Sequence, residues 1–139
     1  MTRMPDDVFR ALSRLMTEYT YAVDSRRDPE NVVALFTDDA VIDFSAVAFP
    51  RMEGREQIHA FYAGLVENMA NEFHIPANLR ADGWDGEVGV ITAYVMGMGV
   101  ANDGTQVSVQ VKYRMECVQV GDAWKCRHFS LEAMMPLPA

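Results

Sequence analysis

No stretch of the 139 residues approaches the roughly 18 consecutive apolar residues that a bilayer span requires, so no membrane crossing is expected. The opening residues, Met1 to Asp7, hold no apolar segment of the signal-peptide kind, and the chain reads as cytoplasmic. Basic residues are few: 12 Lys plus Arg stand against 20 Asp plus Glu, a net charge of −8. With no basic stripe to displace phosphate counterions, nucleic acid is not an expected partner. Cysteine is scarce too. Cys117 and Cys126 lack metal-ligand spacing and read as reduced thiols packed in strands. Internal repeats and linkers are missing, which leaves one domain over residues 1–139.

What remains is an ordinary globular composition, half hydrophobic and 23% charged. A chain of this length buries roughly 65–70% of the surface its unfolded form exposes. Pro5-Asp6-Asp7 is a helix start, with acids at the positive end of the helix dipole. Val8, Leu12, Leu15, Met16, Tyr19 and Val23 then recur at helical spacing, and that helix should end near Asp24–Arg27. Asp28-Pro29-Glu30 starts a second helix. Asp38-Asp39 is expected to break it at an acidic turn, Thr37–Asp39. Ala40, Ile42 and Phe44 alternate with Val41, Asp43 and Ser45 as in a strand. Residues 45–53 read as a loop. A third helix follows Gly54, with Ile58, Phe61, Tyr62, Leu65, Val66 and Met69 as its apolar face.

Every later signal is strand. The expected strands cover 73–82 (Pro76 marking a candidate kink), 88–101, a third with Val107, Val109, Val111, Tyr113, Met115 and Cys117 on one face, and 124–132. Gly121-Asp122 makes a two-residue hairpin between the last two. Three helices around one strand and then a four-strand meander is an α+β order. The strand over 88–101 is apolar or small on both faces. One face would pack the helices, and a second copy of the chain would cover the other, giving a homodimer through the sheet.

Four motifs carry a resemblance: Tyr-x4-Asp at Tyr19–Asp24, Leu-Phe-Thr-Asp-Asp-Ala at 35–40, Gly-Arg-Glu-Gln-Ile at 54–58 and Phe-His-Ile-Pro-Ala-Asn at 73–78. Over about residues 8–132 the chain resembles the SnoaL-like branch of the nuclear-transport-factor-2-like superfamily. That group includes scytalone dehydratase, ketosteroid isomerase, a dehydrochlorinase and bile acid 7α-dehydratase. The resemblance implies a cone-shaped α+β barrel of cystatin-like type, with three N-terminal helices packed on a curved, mostly antiparallel sheet around a conical apolar pocket, and frequent dimers. It places Asp24 and His74 at an Asp–His dyad and Tyr19 at a pocket tyrosine. Phe44 departs from the pattern: it falls where the dehydratases carry a tyrosine and the isomerase its catalytic aspartate. Asp43 next to it belongs on the opposite face by strand alternation. A second histidine that scytalone dehydratase uses has no counterpart over 88–101.

An Asp–His pair is a general-base device, in which the carboxylate fixes the imidazole tautomer and stabilises the imidazolium. In an apolar pocket His74 could take a proton from a carbon next to a carbonyl, and a leaving group on the adjacent carbon would depart. Tyr19 could donate to the developing oxyanion. Such chemistry requires neither metal nor organic cofactor. Each residue also has a structural reading. Asp24 lies roughly 130° from the middle of its helix's apolar stripe at about 100° per residue, and reaches a pocket only if the helix ends or bends there. His74 and Tyr19 could be core residues. Phe44, Tyr62, Tyr94, Trp124 and His128 are the candidate substrate-binding walls, with His128 equally placed for a dimer interface. His59 reads as surface. Met96 and Met98 read as core and pocket lining. The sequence therefore points to a lyase or isomerase acting on a small hydrophobic molecule. A non-catalytic ligand-binding or interaction subunit is the alternative, and a polyketide-cyclase-like enzyme using one acid a further one.

Overall fold

The computed structural model describes residues 2–137. Helix α1 (Asp6–Ser25) presents Val8, Leu12, Leu15, Met16, Tyr19 and Val23 to the core. Arg26 follows it in the left-handed conformation (φ 49°), and its amide closes on the Val23 carbonyl at 3.1 Å. The helix thus stops within two residues of Asp24. Helix α2 (Glu30–Val33) is a single turn, shorter than the sequence suggested. Strand β1 (Phe36–Asp43) begins before the acidic pair, so Thr37–Asp39 is not the helix-breaking turn expected. The acidic stretch bulges instead. Phe36 pairs with Cys126 and Val41 with His128, so five steps along β1 match two on its partner. Extra residues placed outside the ladder let exposed Asp38 and Asp39 reach solvent while Phe36, Ala40 and Ile42 stay buried.

The expected loop over 45–53 contains a short 3-10 turn, Ser45–Val47, and an edge strand β2 (Arg51–Glu53) paired with β1. Helix α3 (Gly54–Asn68) ends one residue before Met69, which opens β3 (Met69–Trp84). Strands β4 (Gly89–Ala101), β5 (Gln106–Val120) and β6 (Ala123–Ala133) complete the meander. Gly121 (φ 61°) makes the tight turn into β6, and Val120 faces Ala123 across it. Beyond it Cys117 and Cys126 are direct partners, both buried free thiols. The register of β3 shifts at three places, between Met69 and Asn71, between Ala77 and Arg80 where Asn78 has φ 53°, and between Ala81 and Gly83, and not at Pro76. Pro76 lies on an edge strand, where its missing N–H leaves the ladder intact.

The six strands form one curved sheet in the order β2-β1-β6-β5-β4-β3, with β1 and β6 parallel and every other pair antiparallel. It is an α+β cup rather than a closed barrel, since β2 and β3 are unjoined edges. The helices lie on its inner face, and aromatic rings fill the floor. Tyr19 meets Phe129 edge to face at 4.9 Å between centroids, and Phe129 meets Tyr113 at 4.8 Å and Phe44 at 5.0 Å. Such edge-to-face contacts add about 0.5–1.5 kcal/mol each beyond the area they bury. The outer face of β3 and β4 is different. Phe73, Ile75 and Ala77 pair with Met98, Met96 and Tyr94, and all six are exposed. The core and pocket role expected for Met96 is thereby corrected: period-2 alternation turns it outward while Val95 and Gly97 turn in. No helix among the described residues is long and apolar enough to cross a membrane.

Candidate active site

The helix end at Ser25 is what brings Asp24 inward. Its carboxylate meets the edge strand β3 at one residue by two bonds. Oδ1 lies 2.6 Å from His74 Nδ1, and Oδ2 accepts the His74 backbone N–H at 2.9 Å. That N–H points away from β4, so without Asp24 it would be an unpaired edge donor. The carboxylate can only accept, so Nδ1 carries a proton, and in the neutral ring the lone pair is on Nε2. Both side chains are largely enclosed, 17% exposed for His74 and 26% for Asp24.

His74 opens onto a cavity of about 420 Å³ lined mostly by apolar side chains, including Val23, Phe61, Leu65 and Val109. This is within the size range of small-molecule sites. The cavity exists because β4 places glycines beneath β3. His74 pairs with Gly97 and Glu72 with Gly99. A Cβ on Gly97 would come within 3.3 Å of His74 Cδ2 and 3.1 Å of Val109 Cγ2. On Gly99 it would strike Met69 Cε at 2.7 Å. In Met96-Gly97-Met98-Gly99 the small residues face the cavity side, and this alternation was the available sequence signal for the site.

Tyr19 also lines the cavity, and its hydroxyl is 2.6 Å from that of Tyr62. In that pair one phenol donates to the other, and the second keeps a proton for a guest. Burial holds Tyr19 well above its ordinary pKa, with Tyr62 and Tyr113 adding to the rise. Burial likewise raises Tyr62 and Tyr113, so all three remain neutral donors at physiological pH. Phe44 lines the cavity. Asp43 turns the other way and accepts from the Ser45 amide at 3.0 Å and hydroxyl at 2.6 Å. Those two bonds, the hydroxyl's first, hold its pKa below the usual carboxylate value.

Three expected walls lie elsewhere. Tyr94 is on the outer face of β4 and 46% exposed. Trp124 packs against Trp84 (6.2 Å between centroids) at the opposite end of the sheet. His128 faces Glu116 across β5 and β6, outside the cavity lining. The bulge between Glu116 and Cys117 shifts the register of β6 near His128, so a simple period-2 count from Trp124 does not place it. His59 is partly exposed and bonds Glu30 at 2.8 Å through Nδ1.

Among the cavity residues that escaped the sequence reading, two are ionisable. Tyr113 is buried on β5 and lines the cavity, although its alternation with Val111 and Met115 marked only a core face. Glu72 stands two positions before His74 on the same face of β3. Burial raises its carboxyl to about 7, Asp24 adds to the rise, and His74 and Arg26 oppose it. Its Oε2 is enclosed with no hydrogen-bond partner among the described residues. Alternation with His74 was the signal that could have found it. No group of three or more His, Cys, Asp and Glu side chains among the described residues is arranged to hold a metal ion.

Comparison with known proteins identifies the fold. The family model of the SnoaL-like domain matches residues 9–130. A crystal structure of a "putative aromatic ring hydroxylase" from Novosphingobium aromaticivorans is 32% identical, with a TM-score of 0.95 over 98% of this chain and 95% of that one. A "putative scytalone dehydratase" from the same organism is similar at 23% identity, with a TM-score of 0.81 over 91% and 83% of the two chains. A hexachlorocyclohexane dehydrochlorinase of type 2 shares the fold at 17% identity, with a TM-score of 0.80 over 96% and 94%. A search of curated proteins found no match. The cup, the strand order and the match over nearly the whole chain lead to one assignment: this protein belongs to the SnoaL-like domain family, within the nuclear-transport-factor-2-like fold.

Proposed function

We propose that the protein is a cofactor-independent lyase or isomerase. It takes a proton from a carbon beside the carbonyl of a small apolar molecule bound in the cavity. His74 Nε2 is the base, Asp24 orients and charges the ring, and Tyr19, paired with Tyr62, donates to the carbonyl oxygen as it becomes an oxyanion. The observation that carries this reading is the two-point hold of Asp24 on His74. It fixes the tautomer and leaves the basic nitrogen for a guest in a site walled by apolar groups. The elimination enzymes named among the structural neighbours support the class of reaction.

The second reading is a non-catalytic ligand-binding or interaction subunit. Phe44 favours it, because a ring without a polar group stands on the cavity wall where the related dehydratases carry a tyrosine. Deuterium wash-in separates the two. A panel of aryl methyl ketones and phenylbutanones is incubated with the protein in D₂O and followed by proton NMR. The enzyme reading expects exchange at the α-carbon that His74→Ala abolishes. Binding seen by line broadening, without exchange for any member, would favour the binding subunit.

A further inference from the structure

The proposed base leaves without a role the one carboxyl that lines the cavity among the described residues. Glu72 lines the same cavity as His74, and its enclosed Oε2 has no hydrogen-bond partner among the described residues. A buried polar oxygen left unpaired costs about 1–3 kcal/mol, so packing alone does not explain an acid here. The groups that face it are Asp24, Arg26 and Tyr19 from α1 and its end, Tyr62 from α3, Tyr113 from β5 and His74 on its own strand. Arg26 is the fixed cation of this set: its Nη1 donates to the Met69 carbonyl at 3.0 Å, and its Nε is buried without a hydrogen-bond partner among the described residues, Glu72 included. Asp24 is committed to His74. These surroundings favour a neutral carboxyl, which is an O–H donor inside an apolar cup.

We propose that Glu72 is the general acid of the site, that it protonates a leaving hydroxyl, and that the substrate class is therefore β-hydroxy carbonyl compounds. This rests on the reading of His74 as base. Nε2 takes the α-proton, and the C–H electron pair becomes the new C=C bond. The bond from the β-carbon to its hydroxyl oxygen breaks with its electrons going to oxygen. The Glu72 proton joins that oxygen and water leaves. His74 is then an imidazolium and Glu72 a carboxylate. The imidazolium releases one proton to solvent, the carboxylate takes one from it, and the site is reset with no net change.

Hydroxide is a poor leaving group and needs this proton, whereas chloride does not. The spacing suits an acid and a base working together. Residues two apart on a strand are roughly 6.8 Å apart, and side chains converging from them can address a hydrogen and an oxygen on adjacent carbons. The glycines beneath, Gly97 under His74 and Gly99 under Glu72, keep the space in front of both groups clear.

The test uses 4-hydroxy-4-phenylbutan-2-one and its 4-chloro counterpart, which present the same α-protons. Glu72→Gln should lower kcat/KM for loss of water by about 10²–10⁴, and should lower chloride loss and α-deuterium exchange by a factor at least about tenfold smaller. Glu72→Asp, which keeps an acid one methylene short, should recover part of the loss. Equal slowing of both substrates, no slowing of either, or equal losses in the Gln and Asp variants would overturn Glu72 as the acid while leaving His74 as the base. A parent that exchanges no α-proton would take both readings down together.

Discussion

Asp24 grips His74 at two points, the ring Nδ1 at 2.6 Å and the backbone amide at 2.9 Å. The same carboxylate therefore caps an exposed strand edge and sets the imidazole tautomer. Asparagine separates these two roles. Its carbonyl can still accept the amide proton, but it brings no charge to stabilise an imidazolium and presents an NH₂ group in place of one acceptor. Asp24→Asn should slow α-proton exchange by up to about 10⁴, as loss of the orienting carboxylate does in a catalytic triad. The stability loss should be only about 1.5–3 kcal/mol, the scale of one hydrogen bond to a charged group. Exchange rates by NMR and a urea melt check the pair of outcomes. Unfolding of the variant at low urea would mean that the contact is chiefly structural.

Gly97 offers a test of the cavity itself. A methyl group there would stand 3.3 Å from His74 Cδ2 and 3.1 Å from Val109 Cγ2, so one of them must give way. The strand backbone accepts alanine, and the expected cost is steric: about 1–3 kcal/mol if the site is rigid, as for other overpacked positions. Gly97→Ala should lower the exchange rate at least about tenfold by tilting the ring off its axis, since small misplacements of a catalytic group are costly. An unchanged rate would show that the ring has slack the fold does not suggest.

Glu72 also leaves a signature in stability that needs no substrate. Its folded pKa is raised to about 7 from 4.5. Between those values the folded state binds more protons than the unfolded one, so stability falls as pH rises from about 4.5 to about 7 and then levels. The group is partly exposed, and after discounting for solvent screening the effect is on the order of 1–2 kcal/mol. Glu72→Gln cannot ionise and should escape this loss. Relative to the parent it should gain several degrees in Tm on moving from pH 5 to pH 8. Calorimetry at the two pH values checks it, and parallel shifts in both proteins would contradict the raised pKa.

The contrast between Glu72 and His74 shows what could be read beforehand. The helices, the meander and the hairpin at Gly121 follow from periodicity and turn residues. Asp24, Tyr19 and His74 stood out as chemistry-bearing types in motifs that resembled a family. That Asp24 and His74 touch was not legible from periodicity, because Asp24 lies off the apolar stripe of α1. The contact depends on Arg26 taking a left-handed conformation, which arginine does not announce. Glu72 belongs to none of the motifs; only its alternation with His74 marks it, and burial there comes from residues distant in sequence. The acidic bulge in β1 was misplaced because Asp38-Asp39 has the composition of a turn. Tyr94 and Trp124 were assigned to the pocket by residue type alone. Their positions depend on which face of β4 looks inward and on which end of the sheet the cavity occupies.

The outer face of β3 and β4 carries the last prediction. Phe73 pairs with Met98, Ile75 with Met96 and Ala77 with Tyr94, and both Phe73 and Met96 are 51% exposed. A contiguous apolar surface of this kind is unusual on a monomer. The free edge of β3 is a poor alternative docking site, because Asp24 already holds the His74 amide and Pro76 has none to offer. Association should therefore be face to face, through a two-fold axis that sets this patch against its copy. The parent should have twice the chain mass by light scattering at micromolar concentration. Met96→Glu puts like charges at the centre of such an interface and should give a monomer that keeps its far-ultraviolet circular dichroism. Its side chain points away from the cavity, so α-proton exchange should persist in that monomer. A monomeric parent would remove the dimer, and a Met96→Glu protein that stays dimeric would move the interface to another surface.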